Sequence, residues 1–377
     1  MRLWFSDLRF WAALLAAIFV TLPAGAGSAA VGAVQSGAGQ PVADLDAWSA
    51  AKLMGIGVNI GNTLDNTTTW ETGWGNPQIT QAYIQSLAAL GFKTVRLPIA
   101  WDTYAHNGRI DPDKLARVGQ IADWITSAGM FCVINIHWDG GWIDSDDQKR
   151  FAKSYHTFSP EAEGKYQSYW SQIATYFADR DQRLVFEGLN EESNFEGAGS
   201  DERAYAMLAR VNQLFVDTVR KTGGNNPRRL LVIPGYTTDI LKTTNGHFPL
   251  PHDVVPHKLF ISVHYYTPWV FAGMSEDASW GKMQPTWGSK SDVAELTQLF
   301  DRMQVFARRN DIPVFMGEFA PNFRKEQASR VRWMLAVAQG ALSRKMVPVL
   351  WEIGEDISRR PPYSPSPALA EVLQALR

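Results

Sequence analysis

Two glutamates in this 377-residue chain stand where chemistry is easily done: Glu191, just after the apolar run Leu184–Leu189, and Glu318, near the end of the run Ile312–Phe319. A carboxyl kept neutral can hand a proton to a departing oxygen, while an ionised one attacks the carbon left behind or activates water there. Hydrolysis of a glycosidic bond needs that pair. Other polar and aromatic groups close short apolar runs in the same way: Asn62, Arg96, His137-Trp138, Asn190, Tyr236, His264-Tyr265-Tyr266 and Trp351-Glu352. Asn190 can donate to a sugar hydroxyl, and His137 and His264 can offer neutral donors. Arg96 and the Tyr266 hydroxyl can hold Glu318 ionised, because a neighbouring cation lowers a carboxylate pKa. Local packing explains any one of these positions, but poorly explains a whole series of them.

The elements that would bring these residues together are read from alternation. Apolar or β-branched runs recur at Gly55–Ile60, Lys93–Ile99, Phe131–His137, Leu184–Leu189, Leu230–Pro234, Leu259–Tyr265, Ile312–Phe319 and Val347–Trp351. Between most of them lie amphipathic patterns at helical spacing, at Thr80–Leu90, Pro112–Ala128, Lys165–Phe177, Glu202–Thr222, Asp292–Asn310 and Lys325–Lys345. Strands so continuously apolar belong to a parallel sheet covered on both faces. The fold class is therefore α/β, a single (β/α)8 TIM barrel, whose site lies at the C-terminal ends of the strands. The fifth unit is the weak one, since Thr237–Phe248 makes a poor helix. An open doubly wound sheet is the alternative, but no G-x-G-x-x-G follows the first run.

Composition narrows the function classes. Lys plus Arg is 36 and Asp plus Glu 38, a near balance that gives no reason to expect nucleic acid or an anionic membrane as partner. One cysteine, Cys132, excludes an internal disulfide and any Cys-rich zinc site. Fifteen tryptophans are many, and flat rings suit sugar faces. Residues 1–26 read as a secretory signal peptide: Arg2 and Arg9, the apolar stretch Phe10–Leu22, then Ala24-Gly25-Ala26 as cleavage site, with Ala30 as the other choice. Residues 27–43 form a flexible Gly/Ala-rich lead-in, and 44–377 the catalytic barrel. The expected location is secreted, extracellular or periplasmic.

The motifs in chain order are Asn59-Ile60-Gly61-Asn62, Val95-Arg96-Leu97-Pro98, Asn135-Ile136-His137, Phe186-Glu187-Gly188-Leu189-Asn190-Glu191, His264-Tyr265-Tyr266, Gly317-Glu318-Phe319 and Trp351. Together they resemble family 5 glycoside hydrolases, above all bacterial endo-β-1,4-glucanases (cellulases), over the stretch from Leu45 to the C-terminus. The resemblance implies a retaining double displacement with Glu191 as general acid/base and Glu318 as nucleophile. It implies Arg96, His137, Asn190, His264, Tyr266 and Trp351 as the rest of the site, no cofactor and no metal. The substrate would be cellulose or a related β-glucan, cut by a monomer; mannan, xyloglucan and mixed-linkage glucan are open alternatives. The chain departs from the family pattern at Glu192, where relatives often have Pro, and at Trp138, where many have a second His. Trp138 thus offers a substrate-binding platform in place of a hydrogen-bond donor.

Blander readings apply to several residues. Glu187 shares strand parity with Glu191 and points into the barrel, four residues below the strand end, where it reads as a buried partner of Arg96 or of a neighbouring polar group rather than a catalyst. Trp70, Trp74, Trp138, Trp142, Trp269, Trp280 and Trp287 lie in loops and could line the cleft or pack a loop, whereas Trp48 and Trp170 read as core. His247, His252, His257 and Asp253 recur among prolines at a spacing that suits no helix face, so they read as an irregular loop and not a metal site. His137-x-Asp139 is the other metal-like pair. A non-catalytic sugar-binding barrel could dispense with the two glutamates. A metal-dependent amide or ester hydrolase would need His-x-His after the first strand, where Asn59-Ile60-Gly61 stands.

The leader makes a direct prediction: N-terminal sequencing of exported protein should begin at Gly27, or after Ala30. Recovery of nothing but full-length, membrane-bound chain would refute it.

Overall fold

The computed structural model describes residues 44–143, 158–191 and 200–377. Strands β1 (Gly57–Asn59), β2 (Thr94–Leu97), β3 (Phe131–Asn135), β4 (Leu184–Glu187), β5 (Leu231–Pro234), β6 (Leu259–Tyr265), β7 (Val314–Phe319) and β8 (Val347–Leu350) form a closed barrel in chain order. Every neighbouring pair is parallel, and β1 returns to pair with β8. The barrel reading holds, and an open sheet is excluded. The leader and lead-in, with Glu192, lie outside the described residues.

Helix α1 (Ala47–Met54) precedes β1; α2 (Gln81–Leu90), α3 (Pro112–Ser127), α4 (Pro160–Tyr176) and α5 (Asp201–Arg220) follow the first four strands. The fifth connection carries one turn, α6 (Ile240–Thr243), as its poor helical pattern foretold. A second one-turn helix, α7 (Trp269–Ala272), lies in the loop after β6, before α8 (Lys290–Arg309), α9 (Gln327–Ser343) and α10 (Pro367–Ala375). Strand residues that face outward, among them Val95, Ile134, Phe186, Ile261 and Met316, join the helices in the main core.

Inside the barrel, side chains sort into two layers. The lower is apolar: Phe131, Val133, Val185, Val232, Phe260, Phe315, Val347 and Val349 cluster with Ala47, Ala50, Ala51 and Met54 of α1, which therefore stops the lower end of the barrel. The sequence allows this because α1 turns small side chains inward and starts at a firm cap, the Asp46 carboxylate accepting from Ser49 N–H at 2.8 Å. Its far end is held by Thr94, whose hydroxyl donates to Met54 O at 2.8 Å. The upper layer is polar, built from Asn59, Arg96, Asn135, Glu187, Ser262 and His264, all buried.

Met54 sits wholly inside the stopper, away from the polar layer. Met54→Ala should destabilise the fold by about 2–5 kcal/mol, the usual cost of such a truncation, in a urea titration. Turnover of the folded fraction should stay at the parent value.

Candidate active site

Arg96 organises the upper layer. Its guanidinium is completely buried and donates to Glu187 Oε2 at 2.6 Å, Glu318 Oε1 at 2.8 Å, Asn190 Oδ1 at 2.9 Å and Asn59 Oδ1 at 3.1 Å. Glu187 is fixed on its other oxygen by the Ser262 hydroxyl at 3.1 Å. So Glu187 points inward as its strand parity suggested, and it has both Arg96 and a neighbouring polar group, Ser262, as partners.

Above this hub, β4, β6 and β7 deliver three groups to one point. One oxygen each of Glu191 and Glu318 and a ring nitrogen of His264 lie within 4.8 Å of one another. His264 Nδ1 is 2.6 Å from Glu191 Oε1 and 3.6 Å from Glu318 Oε2. The Tyr266 hydroxyl donates to Glu318 Oε2 at 2.9 Å. A register shift between β6 and β7 sets His264 beside Glu318 and leaves Gly317 in the bulge. Glycine suits position 317, since a β-carbon there would crowd His264 Nε2 at 3.0 Å and Ser262 Oγ at 3.1 Å.

Burial and charge set the protonation states. Glu191 still shows 28% of its side chain to solvent, yet the surrounding protein pushes its pKa up to about 7; Arg96 and the Thr238 hydroxyl pull the other way. Burial also raises Glu318 above the ordinary carboxylate range, while Arg96 and the Tyr266 hydrogen bond oppose it. The expectation that these two hold Glu318 ionised therefore needs adjusting: they restrain a rise rather than produce a fall. Glu318 has a guanidinium and a hydroxyl in contact, whereas Glu191 meets the neutral imidazole of His264 and the Thr238 hydroxyl, so the contacts favour the ionised form more strongly at Glu318. Burial lowers His264 to about 4 and takes His137 well below its usual value, so both are neutral near pH 7. Tyr266 is raised by burial and by the two glutamates, and keeps its proton.

The remaining candidates fall on either side of the mouth. Trp351 and His137 stack with ring centroids 5.8 Å apart and 7° between planes. The Trp351 ring lies on Gly61, where a β-carbon would meet it at 2.8 Å. Asn135, which sequence reasoning quoted without a role, has its Nδ2 3.3 Å from His137 Nδ1 and accepts from Ile99 N–H at 3.1 Å. Trp138 is exposed beside them, after β3. His264, expected to offer itself to a sugar, instead turns Nδ1 to the carboxylates and is buried.

Other tryptophans divide. Trp142 is buried edge-on to Tyr169, 5.6 Å between centroids, and Trp287 is buried too, so both pack loops. Trp70 is buried against Tyr104 at 5.9 Å, while Trp74 and Trp280 are exposed on loops after β1 and β6. Trp269 stands edge-on to Tyr266 at 6.1 Å and borders the site. Trp170 is core, 4.5 Å from Phe215, and half-buried Trp48 donates to Asp311 Oδ1 at 2.8 Å.

Neither suspected metal pair forms a cluster. Asp139 turns away from His137 to accept from Thr103 N–H at 3.1 Å and its hydroxyl at 2.6 Å, joining two rim loops. Asp253 pairs with Arg220 at 2.6 Å, and His257 with Asp311 at 2.9 Å. Thr237 and Thr238, after β5, both sit in the left-handed region at φ 51° and 52°, a strained setting for β-branched residues beside Glu191. Nothing in their local sequence signals it.

Comparison with known proteins places this geometry. The family model described as Cellulase (glycosyl hydrolase family 5) matches residues 56–356. Endoglucanase A of Paenibacillus barcinonensis is 34% identical over 83% of this chain and 84% of its own length. Endoglucanase B of Clostridium cellulovorans is 33% identical over 90% of this chain and 75% of its own length. Among solved structures, a Bacteroides ovatus GH5 xyloglucanase in complex with a XXXG heptasaccharide superposes with a TM-score of 0.78 at 29% identity, covering 89% of this chain and 78% of that one. A broad-specificity endoglucanase from Ruminococcus champanellensis with bound cellotriose gives 0.77 at 29% identity, covering 88% and 98%.

The Arg96 hub can be tested through stability. Arg96→Met strands Glu187 as a buried carboxylate without its cation, which should cost about 3–5 kcal/mol by urea denaturation. Adding Glu187→Leu should recover much of that loss while leaving activity low.

Proposed function

The chain belongs to glycosyl hydrolase family 5, and from that membership we propose that Glu191 is its general acid/base and Glu318 its nucleophile. The protein is a retaining endo-β-1,4-glucanase that cuts a β-glucan polysaccharide within the chain. The observation that best supports the two roles is the gathering of Glu191, Glu318 and His264 within 4.8 Å. Inversion needs carboxyl groups roughly 6.5–9.5 Å apart to admit a water, whereas retention uses a closer pair.

In the first step Glu318 attacks the anomeric carbon as Glu191 protonates the leaving oxygen. In the second, Glu191, now a carboxylate, takes a proton from the water that attacks the glycosyl ester of Glu318. Two inversions leave the anomeric configuration unchanged. Arg96 and Tyr266 aim Glu318, and Arg96 also grips Asn190 by its Oδ1, presenting the amide nitrogen to the sugar. Asn135 beside His137 Nδ1 leaves Nε2–H as the donor His137 presents. The stacked pair of Trp351 and His137 forms the floor under the sugar whose bond is cut, and exposed Trp138 extends it. We take unsubstituted β-1,4-glucan as the preferred substrate and branched xyloglucan as the second, because the relatives include a xyloglucan-specific enzyme. Export by the leader and action as a monomer complete the reading; among the described residues no helix is long and apolar enough to cross a membrane.

The two carboxylates should separate experimentally. Glu191→Ala should lose roughly 10²–10⁴-fold on polymer, far less in the first step on an aryl glycoside with a good leaving group, and azide should yield a β-glycosyl azide. Glu318→Ala should fail on both substrates and give only an α-glycosyl azide. In the parent, kcat/KM should fall as pH rises through about 7, because the acid form of Glu191 is then lost. Reversed azide products would reverse the roles.

A further inference from the structure

We propose that His264 is a positioning residue that carries its proton on Nδ1 and, by donating it to Glu191 Oε1, confines the acid proton of Glu191 to Oε2. This deepens the acid/base role proposed for Glu191 and rests on it. The tautomer of a histidine is set by what each ring nitrogen meets. Nδ1 faces two carboxylate oxygens, Glu191 Oε1 at 2.6 Å and Glu318 Oε2 at 3.6 Å. Nε2 is buried on the opposite edge of the ring, against the Gly317 backbone, and has no hydrogen-bond partner among the described residues.

Two arrangements satisfy the short contact. In one, Nδ1–H donates to Oε1 and the acid proton sits on Oε2. In the other, Oε1–H donates to Nδ1 and the imidazole proton moves to Nε2. The second strands a buried N–H without an acceptor, a costly defect, and turns a nitrogen lone pair towards Glu318. It also turns the acid proton into the protein, away from any leaving group. The first leaves only a lone pair unmatched and puts the proton on the oxygen that His264 does not occupy.

The surrounding charges agree with the first arrangement. Arg96 of β2 and neutral His137 of β3 add no acceptor at Nε2, and Glu187 of β4 is already held by Arg96 and Ser262. Tyr266 of β6 spends its proton on Glu318 of β7, and the Thr238 hydroxyl, after β5, donates to Thr237 O at 2.7 Å while also lying in hydrogen-bond contact with Glu191. When Glu191 gives up its proton, the Nδ1–H···Oε1 bond becomes charge-assisted and strengthens. Glu191 then keeps one orientation through both steps, as acid and as base, and no covalent change at His264 is involved.

The test is spectroscopic first. The intact protein, labelled with ¹⁵N-histidine, is examined by long-range ¹H–¹⁵N correlation near neutral pH, and the His264 signal is identified by its absence from His264→Asn. A protonated Nδ1 is expected; a protonated Nε2 overturns the proposal. The second readout is the basic limb of kcat/KM. A donor to the carboxylate form lowers the Glu191 pKa, so His264→Ala should move that limb upward by about one pH unit. His264→Asn, whose amide nitrogen can occupy the Nδ1 position, should keep the limb near the parent. A limb that stays put or falls in His264→Ala also overturns the proposal. Should the Ala variant fail to fold, the parent spectrum decides alone. That spectrum is independent of turnover, so a parent inactive on β-glucan would count against the functional reading and not against the tautomer.

Discussion

The interaction on which the site depends is the fully buried guanidinium of Arg96. A cation taken out of water is expensive unless its partners are well placed, and a single missing partner leaves an uncompensated charge. Arg96 has two carboxylates and two amide oxygens, and those four acceptors come from β1, the β4 wall and its end, and β7. Its planar fork therefore measures distances across the barrel. Glu318 cannot drift without breaking a charge-assisted bond. Asn59, which also donates to Gly317 O at 2.9 Å, ties the same hub to the bulge that sets His264 beside Glu318.

The two interior layers complement one another. The lower one is apolar and stopped by α1, so it supplies the burial that offsets the cost of the polar layer above. The polar layer consists of residues locked by their neighbours, which holds the mouth to one geometry. Where hydrogen bonding gives way to strain, at Thr237 and Thr238, the backbone lies beside Glu191, the glutamate we propose as the acid.

Much of this was legible in the sequence, for identifiable reasons. The strands showed because a parallel barrel needs both faces of each strand apolar, and the positions gathered at the mouth showed because polar residues ended those runs. Strand parity was enough to turn Glu187 into the barrel, and the structure gives it both Arg96 and Ser262 as partners. Less legible was anything that depends on which way a ring turns: a strand-end histidine could serve sugar or carboxylate, and the Gly317 bulge decides that His264 faces the latter. The same holds for Trp142 and Trp287, whose loops gave no sign that they fold inward. Asn59 and Asn135 were visible as motif residues, but their work lies in contacts to distant strands. The stopper was hidden because α1 is eight residues long and its apolar face is mostly alanine.

The closure of the barrel sets an order on how the molecule is made. Gly57 pairs with Val349, so the first strand waits for the last before either has two neighbours. Until the C-terminal segment arrives, an assembling chain keeps two open sheet edges, and bringing them together carries the entropic cost of a loop spanning nearly the whole sequence. Gly61 and Trp351, which lie in contact at the barrel mouth, flank this same seam. The Trp351 contact with Gly61 is thus among the last parts of the molecule to form, and a chain interrupted before β8 has both glutamates but lacks the ring we propose as the floor beneath the sugar.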